Sequence, residues 1–213
     1  MELIYVTDPL CMWSHAFSPV LKKFVERHEN EFFTSVVCSG MVRGDLVTSM
    51  ATQSDKLWNA AQAIEKKSGM SFGDKFYKNL HRDDIYLNSV PGSTAVNGIK
   101  QLDKENALAF SMDISNRIFQ QGISPDDKNA IANIMEHYNF NYNDSINYLN
   151  SDNGKYIAFQ DFQWFEAANL RGTPVLILDV NGELVQLNQG YITLDKLEQV
   201  YDEVTRKFDF SMN

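Results

Sequence analysis

The fold of this chain is decided by one stretch, Arg171-Gly172-Thr173-Pro174-Val175-Leu176-Ile177-Leu178-Asp179-Val180-Asn181-Gly182-Glu183. The residues that follow the proline are mostly apolar or β-branched, which predicts a buried strand. A second short β-rich run extends from Glu183 to Leu187. Because Asn and Gly both tolerate positive φ, the pair between the two runs is typical of the tight turn of an antiparallel hairpin. The stretch therefore predicts two paired strands.

The N-terminal part of the chain predicts a second piece of the same sheet. Residues 2–7 are β-rich, Asp8-Pro9 marks a turn, and apolar residues recur at helical spacing from about Met12. Residues 31–39 then form a second β-rich run. A strand, a helix and a strand of these lengths predict a right-handed crossover between parallel strands.

The middle of the chain has a different character. Apolar residues repeat there every three to four positions, which predicts four or five helices, with Ser93 and Ser124 as candidate helix caps. We therefore expect an α/β fold in two parts. Residues 1–43 and 151–213 form one discontinuous domain, in which Thr193 caps a final amphipathic helix, and residues 44–150 form an inserted all-helical domain.

Composition excludes several classes of function. The chain has 213 residues and a formal net charge of −9, without a run of Lys or Arg, so nucleic acid is not an expected partner. The apolar stretch at the N-terminus follows no basic segment and is too short for a signal peptide or a membrane span, so we expect a cytoplasmic protein and no membrane partner. The two cysteines, Cys11 and Cys38, are then not expected to form a structural disulfide. No metal site is expected.

Two motifs resemble the DsbA branch of the thioredoxin superfamily. The first is Cys11-Met12-Trp13-Ser14 at the first strand-to-helix turn, with Pro19 eight residues after the cysteine. The second is the stretch 171–183, which is similar to the thioredoxin segment that contains a cis-proline. The order of elements also matches. The resemblance implies a thioredoxin-like fold with a helical insertion, and the chemistry of disulfide exchange.

The candidate nucleophile is Cys11. A cysteine at a helix N-terminus meets unpaired backbone N–H groups and the positive end of the helix dipole, and both favour the thiolate. Ser14 stands where the family carries the second cysteine, so the chain has a Cys-x-x-Ser motif and cannot resolve a mixed disulfide through that position. The Ser14 hydroxyl either donates a hydrogen bond to the sulfur or is a plain residue of the helix.

Three further residues have open roles. His15 lies four positions after Cys11, where an imidazolium would stabilise the thiolate or carry its proton, and the alternative is a histidine that faces solvent or caps the helix. Asp8 either acts on the thiol as a nearby charge or only starts the turn before Pro9. Cys38 is expected at the same sheet edge as Cys11, as a resolving thiol or as a small core residue.

The expected substrate-binding residues are Trp13, Thr173 and Pro174. In proteins of this family the residue before the cis-proline pairs with an extended substrate, and the position of Trp13 helps to shape the substrate surface. Since a proline at the first residue of a strand does not donate to the sheet, a cis bond there would turn the Thr173 backbone toward solvent.

Three functions remain open at this stage. The first is a monothiol thiol-disulfide oxidoreductase or isomerase, whose partners are protein or peptide thiols and disulfides. Glutathione would be its co-substrate, and no tightly bound cofactor is expected. The second is a glutathione-dependent transferase or isomerase similar to the kappa class, although residues 188–191, Asn-Gln-Gly-Tyr, differ from the stretch of that class. The third is a peptide-binding module without turnover.

Overall fold

A four-stranded sheet lies at the centre of the protein. The computed structural model describes residues 1–211, with side chains for residues 1–208. The strands lie in the order β2-β1-β5-β6, where β1 is Glu2–Thr7, β2 is Phe33–Cys38, β5 is Val175–Val180 and β6 is Glu183–Gln186. Strand β2 therefore forms one edge of the sheet and β6 forms the other.

The pairing confirms the sheet that the sequence predicts. Strands β1 and β2 are parallel, with Glu2 opposite Phe33 and Thr7 opposite Cys38. Strand β5 is antiparallel to both β1 and β6, and Asn181 and Gly182 at the hairpin turn have positive φ values of 56° and 91°. The hairpin and the crossover therefore meet in one sheet, side by side at β1 and β5.

Nine α-helices surround or extend from this sheet within residues 1–211. Helix α1 (Met12–Arg27) connects β1 to β2, and α9 (Leu194–Ser211) follows the hairpin. The helices between β2 and β5 are α2 (Ser54–Ser68), α3 (Asp74–Asn79), α4 (Ser89–Leu102), α5 (Lys104–Phe119), α6 (Lys128–Glu136), α7 (Tyr142–Asn150) and α8 (Asp152–Ala167).

Ser93 and Ser124, the two helix caps expected in the middle segment, are wrong. Helix α4 begins at Ser89 and is capped by Asn88, so Ser93 lies inside the helix. Pro91 is in the first turn of α4, where a proline costs little because the N–H groups there have no partner within the helix. Helix α6 is capped by Asp127, whose carboxylate accepts two backbone N–H groups, while Ser124 donates to Asp126 instead.

The middle segment also contains a small ladder that its periodicity does not indicate. Strand β3 (Thr48–Ser49) pairs antiparallel with β4 (Tyr86–Leu87). Both strands have only two residues, which is too short to produce an alternating pattern in the sequence. The ladder joins the chain before α2 to the chain before α4.

One hydrophobic core is shared by the sheet and the helices. On one face of the sheet, Leu3, Tyr5 and Val36 belong to the same buried cluster as Phe17 of α1 and Phe110 of α5. The opposite face buries a smaller cluster, which α8 and the loop after it cover with Trp164, Phe165 and Leu170. Burial of a large apolar side chain contributes roughly 1.5–3 kcal/mol, so the shared cluster couples the folding of the helices to that of the sheet.

A partly buried ion pair attaches strand β2 to helices α4 and α8. The Lys100 amine donates to the Asp161 carboxylate at 2.9 Å and to the Val36 carbonyl at 2.9 Å. Asp161 also accepts from the Cys38 backbone N–H at 3.0 Å and from the Asn97 amide at 2.9 Å. These bonds supply partners to backbone groups of β2 that no neighbouring strand reaches.

A charged network holds the C-terminal end of α1 against the N-terminal half of α9. The two ring nitrogens of His28 contact the carboxylates of Glu31 at 2.8 Å and Glu198 at 2.7 Å. Burial alone lowers the pKa of His28, but the hydrogen bonds and charges of Glu198 and Glu31 outweigh it, and the net shift raises the pKa. Tyr201 of α9 also donates to Glu31, at 2.8 Å.

The His28 network makes stability depend on pH. Because the folded-state pKa of His28 is raised, its contribution is complete below the unfolded pKa of about 6.5 and is lost as the pH rises through the folded value. We expect His28→Gln to lower the free energy of unfolding by about 1 kcal/mol in mildly acidic buffer and by less in alkaline buffer. Urea unfolding at both pH values measures the difference. An equal loss at both would mean that His28 contributes through packing and not through charge.

Candidate active site

Cys11 occupies the N-terminal end of helix α1. It is the N-cap residue, with extended backbone angles, and its side chain is only 6% exposed. The Ser14 backbone N–H donates to the Cys11 sulfur at 3.4 Å, and the sulfur lies 3.3 Å from the Thr173 carbonyl oxygen, which accepts the thiol hydrogen. The thiol therefore lies between the start of α1 and the loop that precedes β5.

The sequence predicts that the site lowers the pKa of the Cys11 thiol, and this prediction is wrong in direction. Burial raises the pKa of the Cys11 thiol above its usual value, and the nearby Asp8 carboxylate raises it further. The hydrogen-bonding groups of Ser14 and Thr173 lower the pKa of the thiol, but they do not offset the loss of water around the sulfur. The helix N-terminus is present, as the sequence predicts, and burial outweighs the hydrogen bond from its Ser14 backbone N–H.

Ser14 lies one turn along α1 from Cys11 and is 1% exposed. Its backbone N–H makes the hydrogen bond to the sulfur, and its hydroxyl makes none that meets ordinary distance and angle criteria among the described residues. The hydroxyl is still near enough to lower the pKa of the thiol. Ser14 therefore acts on Cys11 through both groups, and its hydroxyl lowers the pKa of the thiol more than its backbone N–H does.

The loop before β5 has a fixed shape at the thiol. The Thr173–Pro174 peptide bond is cis, as the sequence analysis expects, and Thr173 is partly exposed while Pro174 is buried. The Gly190 N–H donates to the Pro174 carbonyl at 2.8 Å. The Asn188 side chain connects strand β5 to the loop after β6. It accepts from the Leu176 N–H and donates to the Gly190 carbonyl, each at 2.6 Å. The loop after β6 thus supports the loop beside Cys11.

Asp8 is a structural centre beneath the thiol and is 0% exposed. Its carboxylate accepts the backbone N–H groups of Leu10 at 2.9 Å and Met41 at 2.7 Å, and the hydroxyls of Ser39 at 3.2 Å and Ser89 at 2.8 Å. These four donors come from the β1–α1 turn, from the chain after β2 and from the first residue of α4. Asp8 is therefore more than a turn starter, because it joins the sheet to the helical segment.

The expectation that His15 is charged or exposed is wrong. The side chain is 2% exposed, and its ring packs against Phe72 and Phe119 at centroid distances of 5.7 and 5.3 Å. Burial lowers the pKa of His15 to about 4, so the ring is neutral at neutral pH and supplies no imidazolium to Cys11. Its Nε2 lies 3.1 Å from the Gln120 amide nitrogen. His15 belongs to the packing between α1 and α5.

An apolar cleft of about 470 Å³ opens beside Cys11. Trp13 lines it and packs against Tyr191, with tilted rings at a centroid distance of 6.1 Å. The Lys67 amine lies 5.4 Å above the Trp13 ring. The other wall comes from the chain after β2 and from α2, including Met41, Leu46 and Leu57. The sequence offers no signal for this wall, since its residues lie in a segment whose position relative to Cys11 depends on the packing of the insertion.

Cys38 does not share this cleft. It is 0% exposed at the end of β2, opposite Thr7, and burial raises the pKa of its thiol well above the usual value. Both cysteines are free thiols. The structure thus favours the interpretation of Cys38 as a small core residue over its interpretation as a resolving thiol.

Metal-binding clusters and membrane-spanning helices are both absent from the part of the chain that the structure describes. Within residues 1–211, His, Cys, Asp and Glu side chains do not gather in groups of three or more that would hold a metal ion. Across the same residues, none of the helices combines the length and apolar character needed to cross a membrane.

Comparison with solved structures identifies the fold. A protein of Nitrosomonas europaea that carries a provisional assignment as a protein disulfide isomerase superimposes with a TM-score of 0.85 at 15% identity, over 97% of this chain and 98% of that chain. The cytosolic disulfide reductase DsbM from Pseudomonas aeruginosa has a TM-score of 0.80 at 17% identity, over 97% and 99%. For 2-hydroxychromene-2-carboxylate isomerase the TM-score is 0.63 at 15% identity, over 100% and 98%.

The comparisons confirm the fold that the sequence predicts. The chain has the DsbA-like thioredoxin fold with a helical insertion. By sequence, neither a family model nor a curated protein matches it.

The pH dependence of Cys11 reactivity tests the description of the site. We expect alkylation of Cys11 by iodoacetamide to rise with pH and to have its midpoint above that of a free cysteine, because burial raises the pKa of the thiol. Ser14→Ala should move the midpoint to higher pH, since it removes a group that lowers the pKa. Ser18→Ala, one turn further along α1, serves as the matched control. A midpoint that moves downward in Ser14→Ala would contradict the role of the hydroxyl.

Proposed function

We propose that the protein is a thiol-disulfide oxidoreductase or isomerase that works through the single thiol of Cys11. The observation that carries the proposal is the position of the Cys11 sulfur, which lies at the start of α1 and 3.3 Å from the carbonyl of the residue before Pro174. A buried serine one helical turn away replaces a second thiol. The similarity to a disulfide reductase and to DsbA-like oxidoreductases supports the proposal.

The proposed reaction has two exchanges. With a protein joined to glutathione by a disulfide, the Cys11 thiolate attacks the glutathione sulfur, and the protein leaves as a thiolate that takes up a proton. A second glutathione thiolate then attacks the glutathione sulfur of the mixed disulfide. It releases Cys11 and forms oxidised glutathione, so one free glutathione thiol is consumed and the disulfide bond passes from the protein to glutathione.

The environment of the thiol favours reduction over oxidation. An oxidant of this fold needs a stabilised thiolate, whereas burial of Cys11 raises the pKa of the thiol. A thiol of raised pKa is also a slow leaving group, so the mixed disulfide should be long-lived. We therefore propose reduction or isomerisation as the direction, with release of the substrate as the slow step.

Glutathione is the proposed co-substrate, and Trp13, Thr173 and Pro174 are the proposed binding residues. DsbM, which is similar in fold, has also been solved with glutathione. The partly exposed Thr173 backbone is placed to pair with an extended peptide beside the sulfur. Since DsbM is a cytosolic protein, its similarity supports a reducing, cytoplasmic location for this chain.

A glutathione-dependent isomerase is the second candidate. The apolar cleft beside Cys11 favours it, because a cleft of about 470 Å³ is large enough for a small organic substrate. The similarity to 2-hydroxychromene-2-carboxylate isomerase also supports this candidate. The two functions differ in what they require of the sulfur, since only disulfide exchange requires a covalent bond to Cys11.

Replacement of the thiol separates these functions. We expect Cys11→Ser to reduce deglutathionylation and disulfide reductase activity to the background rate while thermal stability is retained, because one small N-cap residue replaces another. Cys38→Ala is the control, and it should keep the activity because Cys38 is buried away from the cleft. The readout is NADPH consumption in an assay coupled to glutathione reductase, and activity that survives in Cys11→Ser would exclude the monothiol mechanism.

Restoring the second thiol tests the role of Ser14. We expect Ser14→Cys to accelerate insulin reduction by dithiothreitol, because a thiol one helical turn from Cys11 can close a disulfide and expel the bound substrate. The native protein should instead accumulate mixed disulfides on a non-reducing gel after incubation with oxidised glutathione or glutathionylated protein. Equal rates for the two proteins, with no Cys11-dependent adducts in the native one, would favour a binding module without turnover.

A further inference from the structure

A second concave surface lies at the other end of the sheet from Cys11. It is a groove of about 990 Å³ along the first half of edge strand β2, and we call it the β2 groove. Helices α4 and α5 form one wall and α8 forms the other, with the end of α1 at one mouth. Since Cys11 follows the C-terminal end of β1 and β2 runs parallel to β1, the groove and the thiol are at opposite ends of the strands.

The backbone of β2 exposes unpaired groups to this groove. The N–H of Phe33 donates to the Met1 carbonyl and the N–H of Ser39 donates to the Thr7 carbonyl, so odd-numbered residues of β2 face β1. The N–H and C=O groups of even-numbered residues therefore face away from the sheet. The Val36 carbonyl and the Cys38 N–H are taken by Lys100 and Asp161. Thr34 lines the groove, and its two outward backbone groups have no such partner within the described residues.

A buried acceptor lies beside this open backbone. Asn97 of α4 lines the β2 groove and is 0% exposed. Its amide nitrogen donates to the Ser93 carbonyl at 3.1 Å and to Asp161 at 2.9 Å. Its carbonyl oxygen, Oδ1, has no hydrogen-bond partner among the described residues. A buried amide oxygen without a partner is costly, so the wall beside Thr34 contains a polar group that the described residues leave unsatisfied.

The charges around the groove are predominantly negative. Lys100 is paired with Asp161, so these two side chains largely neutralise each other. The remaining charged residues of the lining are three carboxylates and one amine, Glu2, Glu29, Glu105 and Lys104. The surface therefore favours a positively charged ligand over a negatively charged one.

We propose that the β2 groove binds an extended, basic peptide segment of a partner protein, which adds a short strand at Thr34. The peptide backbone pairs with the N–H and C=O of Thr34, and its Lys or Arg side chains face the carboxylates at the rim. A second copy of this chain fits less well, because it would bring two sets of these carboxylates together. A segment held here leaves the Cys11 cleft open at the other end of the sheet.

The test uses the full chain and a fluorescent peptide of alternating lysine and threonine, without cysteine. We expect saturable binding by fluorescence anisotropy, and no binding of the matching glutamate and threonine peptide. Thr34→Pro should weaken binding by about tenfold or more, since it removes the outward N–H without touching the bonds to β1. Thr34→Val, which keeps the N–H, is the matched control and should bind as the native protein does.

A second variant keeps the test independent of changes in β2. The double substitution Glu29→Lys with Glu105→Lys changes only exposed side chains, and it should shift the preference toward the glutamate peptide. Alkylation of Cys11 should leave binding unchanged. Binding that Thr34→Pro does not affect, or that Cys11 alkylation abolishes, would overturn the proposal. A dimer that is detected by sedimentation and dissociates in Thr34→Pro would also overturn the proposal. It would show that a second copy of the chain occupies the edge of β2.

Discussion

The carboxylate of Asp8 is the constraint on which the site depends. It is fully buried, and it remains acceptable there because four donors from three parts of the chain surround it. Breaking a buried charged network of this kind costs roughly 3–5 kcal/mol. Burial raises the pKa of Asp8 itself, and its charge in turn raises the pKa of Cys11. The residue that joins the sheet to the helical segment therefore also tunes the thiol.

The chemistry at Cys11 results from two opposing effects. The start of α1 and the neighbouring groups of Ser14 and Thr173 stabilise a thiolate, while burial and Asp8 oppose it. Burial has the larger effect because Cys11 is only 6% exposed. The outcome is a less acidic thiol, which is a strong nucleophile once it is ionised and a slow leaving group from a mixed disulfide. His15 adds no charge to this balance, since its aromatic surroundings keep the ring neutral.

The two ends of the sheet have different characters. At the C-terminal end of β1, a fixed loop and an apolar cleft surround one thiol. Near the N-terminal end of β2, unpaired backbone groups lie in a groove with acidic walls. The Lys100–Asp161 pair lies between these regions and supplies partners to the Val36 carbonyl and the Cys38 N–H, whereas both outward backbone groups of Thr34 have no such partner within the described residues. A peptide bound at the proposed site would thus leave the Cys11 cleft open at the other end of the sheet.

Local signals in the sequence determined the elements of this protein. The Asn181-Gly182 turn, the strand before Asp8-Pro9 and the cysteine at the start of α1 each depend on neighbouring residues, and the structure contains all of them. The motif at residues 171–183 also predicted that Thr173 lies beside Cys11. Tertiary packing decided the rest: the burial of His15, the raised pKa of the thiol, the cleft wall around Leu46 and the four donors to Asp8. These properties depend on which side chains from distant segments exclude water around a group, and spacing along the chain carries no information about that exclusion.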